Sequence, residues 1–214
     1  MTLREYLLNP DTWISIIAVC LSVIALFQTQ KQIKLSNKQQ LFDRRIEKYL
    51  LFKDLITLYK NHRHLIVNDD TICEMVDFQF SMFTNCNTLE QICAAIDKPL
   101  HDEYHKILLT KLELLEKDSV EIALLWNSNI GKKAGCFVKQ YKELLMSMYQ
   151  QQILLNHLHK QNEAYPMKLE EFQRRAKQNA LEVGLYNNIE KLEKTYDDII
   201  KRKVEQELAN KIKL

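Results

Sequence analysis

Fifteen consecutive residues near the start of the chain, Trp13 to Phe27 (WISIIAVCLSVIALF), carry no charge and no strong helix breaker. A polar run follows at 28–40 (QTQKQIKLSNKQQ), and then a stretch at 41–59 mixing apolar and charged positions (LFDRRIEKYLLFKDLITLY). No Gly or Pro occurs between Pro10 and Asn61, so the pattern predicts one helix of about fifty residues, roughly 75 Å long. In its last third, Phe42, Ile46, Tyr49 and Ile56 form one apolar stripe, and Leu51, Leu55, Leu58 and Leu65 form another. Two stripes imply burial on two sides, so that part belongs to a core. Movement in that core has a rigid path to the apolar end, which makes gating physically possible.

Further helices follow from the same period. Asn68-Asp69-Asp70 marks a break and caps a helix at 71–83. Asn87-Thr88-Leu89-Glu90-Gln91 holds two overlapping capping boxes that start another, interrupted at Pro99. Leu108, Leu112, Leu115, Ile122 and Trp126 trace one face. Asn127 to Gly131 reads as a loop. Phe137, Tyr141, Leu144, Met148, Leu155 and Leu158 trace a long helix that ends near Tyr165-Pro166. Two C-terminal helices, split near Gly184, complete the chain, the last carrying Ile189, Leu192, Tyr196, Ile199, Val204, Leu208 and Ile212. Three glycines and three prolines in 214 residues cannot supply the turns of a β fold. The expected class is all-α: one N-terminal transmembrane helix continuing into a helical bundle.

Fifteen helical residues reach about 22 Å against a hydrocarbon core of about 30 Å, so a buried core helix is the competing reading. Trp13 at one edge, the Asn9-Pro10 cap, and the lysines that begin at Lys31 favour the membrane. A cleaved signal peptide would need a basic start and small residues before the cut. Residues 1–12 hold one Arg and two acids, and no A-x-A site follows. The expected division is an extracytoplasmic end at 1–12, a span at 13–30, a stalk at 31–40 and a cytosolic helical domain at 41–214. Residues 28–64 hold nine Lys/Arg and three Asp/Glu, a net +6 against +2 for the whole chain. The positive side stays cytoplasmic, so the N-terminus faces out of an inner, cell membrane. Five cysteines, odd in number and irregularly spaced, fit reduced thiols in such a compartment.

Within the span, Ser15, Ala18, Ser22 and Ala25 recur at intervals of 3, 4 and 3, and Thr29, Gln32, Ser36 and Gln39 continue the series. Small residues at this period either let membrane helices pack closely or line a narrow pore. Both demand self-association, because the chain has no second membrane helix, and a short span gains from it. A homo-oligomer is expected, with a tetramer as the reference assembly and membrane lipid as the other partner.

Other candidate chemistry is sparse. Asn127-Ser128-Asn129-Ile130-Gly131-Lys132-Lys133 places a glycine and two lysines at a helix start, a setting for a phosphate or other anion, but without P-loop spacing. Lys132 and Lys133, joined by Arg44 and Arg45, are the candidate ligand-binding cations for a nucleotide or DNA oligomer. Arg174-Arg175 is a further basic pair. His101 and His105 share a helix face, yet lack the H-E-x-x-H order and a third ligand, so no metal or other cofactor is expected. No catalytic signature is present, and the chain is not expected to be an enzyme.

The run QKQIKLSNKQQLFDRRIEKYLLFKDLI (30–56) resembles a juxtamembrane segment that recurs in bacterial single-span proteins. Some proteins of that architecture look like membrane effectors of anti-phage defence, the Hailong-type effector among them. There a DNA oligomer, made by a partner signalling enzyme of the nucleotidyltransferase kind, holds an oligomeric channel closed. The resemblance implies an ion channel or pore that depolarises the cell. It covers an eighth of the chain and transfers no functional residue. A membrane-tethered adaptor that conducts nothing and recruits a cytosolic partner is the alternative.

Overall fold

Helix α1 (Pro10–His62) is uninterrupted in the computed structural model of the chain, which describes residues 10–67 and 70–212. The Asn9 cap and the Asn68-Asp69 break expected from the sequence lie outside the described residues. The described residues are helical, with no strand among them. They divide into two compact units, one ending at Arg44 and the other starting at Arg45.

The first unit is the leading part of α1. Its 18-residue apolar window has a mean hydropathy of 1.8, and none of it is buried. This helix is long and apolar enough to cross a membrane.

The second unit contains the rest of α1, then α2 (Val76–Phe83), α3 (Ala94–Asp97), α4 (Asp102–Trp126) and α5 (Asn129–Ala164). It ends with α6 (Leu169–Glu182), α7 (Leu185–Lys201) and α8 (Val204–Asn210). Helix α5 is the central element. It buries residues all round its girth, among them Phe137, Val138, Tyr141, Leu144, Leu145, Met148 and Tyr149. Helices α2, α4, α6, α7 and α8 pack around it. Phe52, Leu55 and Tyr59 of α1 join the same core, and the Phe137 ring meets both Phe52 and Tyr59 edge-on at 5.9 and 6.0 Å.

Four helix boundaries differ from the sequence expectation. The helix expected at 71–83 is a 3-10 turn (Asp70–Cys73) followed by α2, which starts only at Val76. The expected helix from Asn87 is instead a 3-10 turn (Glu90–Ile92) followed by the single turn α3. The Cys86 carbonyl accepts from the Leu89 and Glu90 N–H groups. Burial of Leu89, Ile92, Ala95 and Ile96 governs this segment, rather than its capping residues. The expected 127–131 loop is only Asn127-Ser128. Asn127 closes α4 in the left-handed region (φ 32°), and the Ser128 hydroxyl accepts from the Gly131 N–H at 3.3 Å to start α5. The last helix is two, because Lys203 (φ 52°) breaks it between α7 and α8.

Lys203 is exposed and strained, since a side chain in the left-handed region costs about 1 kcal/mol. Lys203→Gly is expected to raise the thermal midpoint by about 2–4 °C, with a calorimetric scan as the check. A lowered midpoint would mean that the α7–α8 break depends on the lysine itself.

Buried polar groups staple the bundle. Gln151 is wholly buried and donates to the Cys73 carbonyl at 2.8 Å and the Ala176 carbonyl at 3.1 Å. The Tyr141 hydroxyl donates to the Phe83 carbonyl at the end of α2, 2.7 Å away. Desolvation pushes that phenol well above its ordinary pKa, so it stays a neutral donor.

Candidate functional site

Ten large apolar side chains between Trp13 and Phe27 are each 45–69% exposed. A water-facing surface of that density would be costly, because each buried apolar Å² is worth about 25 cal/mol. Ser15, Ala18, Ser22, Ala25, Thr29 and Gln32 are exposed as well. They lie along one side of the unbroken helix, so the structure does bring the sequence-predicted seam onto one face. The Ser22 hydroxyl donates to the Ala18 carbonyl and the Thr29 hydroxyl to the Ala25 carbonyl, both at 2.8 Å. Each hydroxyl proton is thus satisfied by its own helix, as apolar surroundings require. What the two side chains turn outward is acceptor oxygen.

The four candidate cations do not converge on one ligand. Lys133 is half-buried and ion-paired to Asp198 of α7. Hydrogen bonds from Lys133 and then Arg202 hold the Asp198 carboxyl below the ordinary carboxylate range. Arg45 donates to the Leu125 carbonyl at 3.2 Å and the Lys211 carbonyl at 3.3 Å. These carbonyls belong to the last turn of α4 and to the C-cap of α8, where helices leave acceptors unsatisfied and favour positive charge. Arg45 therefore stitches two helix ends together. Lys132 and Arg44 are exposed.

Gly131, read from sequence as part of an anion-binding start, and Gly135 lie inside α5 where it crosses α4. A Cβ at Gly131 would meet the Trp126 Cβ at 2.9 Å, and one at Gly135 would strike the Ser119 carbonyl oxygen. The spacing is a close-approach motif between two helices. Its signal, small-x-x-x-small, was present in the sequence.

The His101/His105 pair is separated in role. His101 precedes α4 at its N-cap, whereas His105 Nδ1 lies 2.8 Å from the Tyr149 hydroxyl, which accepts from the Leu100 N–H at 3.0 Å. Among the described residues no group of three or more His, Cys, Asp or Glu is placed to hold a metal.

Two charged clusters inside the second unit, which the sequence did not reveal, tie residues 47–63 to α4 and α7. Lys48 contacts Asp118 at 2.8 Å, Glu47 at 2.9 Å and Glu121 at 3.5 Å. Burial alone would lower its pKa, but hydrogen bonds to Asp118 and Glu47 and the nearby carboxylates outweigh that and raise it. The Tyr59 hydroxyl donates to Glu193 at 2.6 Å, and Arg63 pairs with the same carboxylate while covering the Tyr196 ring at 5.0 Å. Apart from Glu47, the partners are remote in sequence, and only their opposite charges hinted at pairing.

Two open grooves flank α5. One of about 340 Å³ lies against α6, lined by Leu154, His157, Leu158, Gln161, Arg175, Gln178 and Asn179. The other, of about 260 Å³, lies against α4 beside Leu109, Leu112, Glu113, Glu116, Lys142 and Met146. In the first, Arg175 is already paired with Glu171 at 2.7 Å.

These features define an all-α chain with one exposed apolar N-terminal helix and a folded helical unit. No protein-family model, curated protein or solved structure matches it.

Proposed function

We propose that this chain is a homo-oligomeric membrane effector. Its first helix spans a bacterial cell membrane with the N-terminus out and packs against copies of itself along the Ser15–Gln32 seam. The helical unit lies in the cytoplasm and gates an ion-conducting pore. Opening that pore depolarises the cell as an anti-phage response, under the control of a nucleotide or DNA-oligomer signal from a partner enzyme.

The observation that carries this reading is the wholly exposed apolar window with a line of small and hydroxyl residues on one face. Lipid accounts for the apolar side chains. A second copy accounts for the small ones, because close helix approach needs them. Ser22 and Thr29, with protons committed to backbone carbonyls, offer acceptor oxygens to whatever faces the seam. Acceptor oxygens suit a cation or a close helix contact.

The mass of the detergent-solubilised full-length protein, corrected for the micelle, is the first check. An assembly of four or more copies is expected. Ser22→Ile with Ala18→Ile should break it and abolish both bilayer conductance and toxicity on overexpression. A monomer, or an assembly and conductance that survive both changes, would overturn the pore reading.

The tethered adaptor is favoured by a different observation. Val120 and Leu124 are 54% and 71% exposed on one side of α4, with Leu109 on the same side about three to four turns away. An apolar strip of this kind suits a partner protein. A harmless monomer that co-purifies with a soluble partner, and loses it on Leu124→Glu, would make that the working function.

A further inference from the structure

Each residue of an α-helix turns by about 100°, so positions on α1 can be placed around its axis. Lys31, Lys34 and Lys38 fall within about 60° of one another. Trp13 lies on that same side, because the 18 residues to Lys31 amount to about five turns, and Phe27 lies beside them. The small-residue seam is centred about 180° away. The rise from Trp13 to Lys31 is about 27 Å, close to the hydrocarbon thickness of about 30 Å.

All three lysines are exposed, and none makes a hydrogen bond or ion pair with a described residue. No acidic residue occurs between 28 and 42. The charge is therefore uncompensated, directional and continuous with the apolar window.

We propose that Lys31, Lys34 and Lys38 form a binding face for the headgroups of anionic phospholipids. This rests on the membrane reading above and adds to it a rotational setting of the helix. Three ammonium groups offer hydrogen bonds to lipid phosphate oxygens while their stems lie along the acyl boundary. Trp13 anchors the same face at the opposite interface. With both ends of that face held in lipid, the seam turns toward neighbouring copies. A nucleic acid would use the lysines but would leave unexplained why Trp13 and Phe27 share their side.

The test uses full-length protein in detergent, with fluorescent phosphatidylglycerol and phosphatidylcholine as probes. The wild type should retain phosphatidylglycerol preferentially and lose the preference as salt is raised. The Lys31→Glu, Lys34→Glu, Lys38→Glu triple variant should weaken that binding about a hundred-fold, while phosphatidylcholine binding stays unchanged. A control with the same charge change, K106E with K117E and K191E on exposed lysines of the folded unit, should keep the preference. Preference retained by the first triple variant, or lost equally by the control, would overturn the proposal. So would displacement of the lipid probe by an oligonucleotide at matched phosphate concentration. Release of the wild type from membranes by alkaline carbonate would instead end the membrane reading itself. Loss of headgroup preference in a protein that stays membrane-bound ends only the present inference.

Discussion

Gly135→Ala is expected to lower the thermal midpoint of the folded unit by about 4–8 °C, although alanine is the better helix former. In an unconstrained helix interior the change would stabilise by about 1 kcal/mol. Here the added methyl falls on the Ser119 carbonyl oxygen of α4. That atom is backbone in the middle of a helix and cannot swing aside. The two helices must separate, and they are the longest packed pair in the unit. Overpacking of this kind costs about 1–3 kcal/mol, and a backbone obstacle places it at the upper end. The net loss of about 2 kcal/mol corresponds to the stated shift for a domain of this size. Two other glycines calibrate the measurement. Gly131→Ala meets the Trp126 Cβ at 2.9 Å and the Ile122 carbonyl oxygen at 3.2 Å, neither of which can swing aside, so it should also destabilise, by less than Gly135→Ala. Gly184→Ala meets no atom within 4 Å but holds φ at 72°, so it costs about 1 kcal/mol through strain alone. A raised midpoint for Gly135→Ala would show that α4 and α5 do not approach as closely as described.

Lys48→Met is expected to destabilise the folded unit by about 3 kcal/mol in urea titration, and Lys48→Met with Asp118→Leu by much less. The side chain of Lys48 is 10% exposed and that of Asp118 is 13% exposed. Removing the cation leaves Asp118 and Glu121 as neighbouring carboxylates with little water to screen them. Removing both members of the closest pair replaces ions by apolar volume, which costs less than leaving one charge alone. The pH dependence follows from the raised pKa of Lys48. Its stabilisation is fully present below its unfolded value of 10.5 and is lost only as the pH rises through the higher folded value. Between pH 5 and 9 the difference between wild type and Lys48→Met should therefore not close through titration of the lysine. Equal stability of the single and double variants would mean that the pair contributes nothing beyond its packing.

Much of the fold was legible because helices obey a local rule. The absence of Gly and Pro between Pro10 and Asn61 predicted α1 almost to its end at His62. The apolar spacing from Leu108 to Trp126 predicted α4, and Tyr165-Pro166 predicted the end of α5 at Ala164. The segment 84–98 was not legible. Its capping boxes satisfied the local rule, yet a 3-10 turn and one helical turn bury four apolar residues better than a continuous helix would. The break at Lys203 was equally hidden, because a lysine carries no preference for the left-handed region.

The candidate site divided along the same line. The side of α1 on which the small residues and the lysines lie depends only on position around one helix, so it follows from spacing along the chain. The cations at Lys133 and Arg45 are a different matter. Their sequence neighbours suggested a free anion site, whereas Asp198 and the carbonyls of Leu125 and Lys211 occupy them. Those partners lie 65, 80 and 166 residues away. By itself the sequence determined the class, the long first helix and the faces it presents, since each follows from a period of 3.6 residues. Only the tertiary structure decided which charges are spent on holding helices together and where two backbones come too close for a methyl group. Pairing and close approach are properties of distance in space, and a helical period carries no information about which element will be opposite.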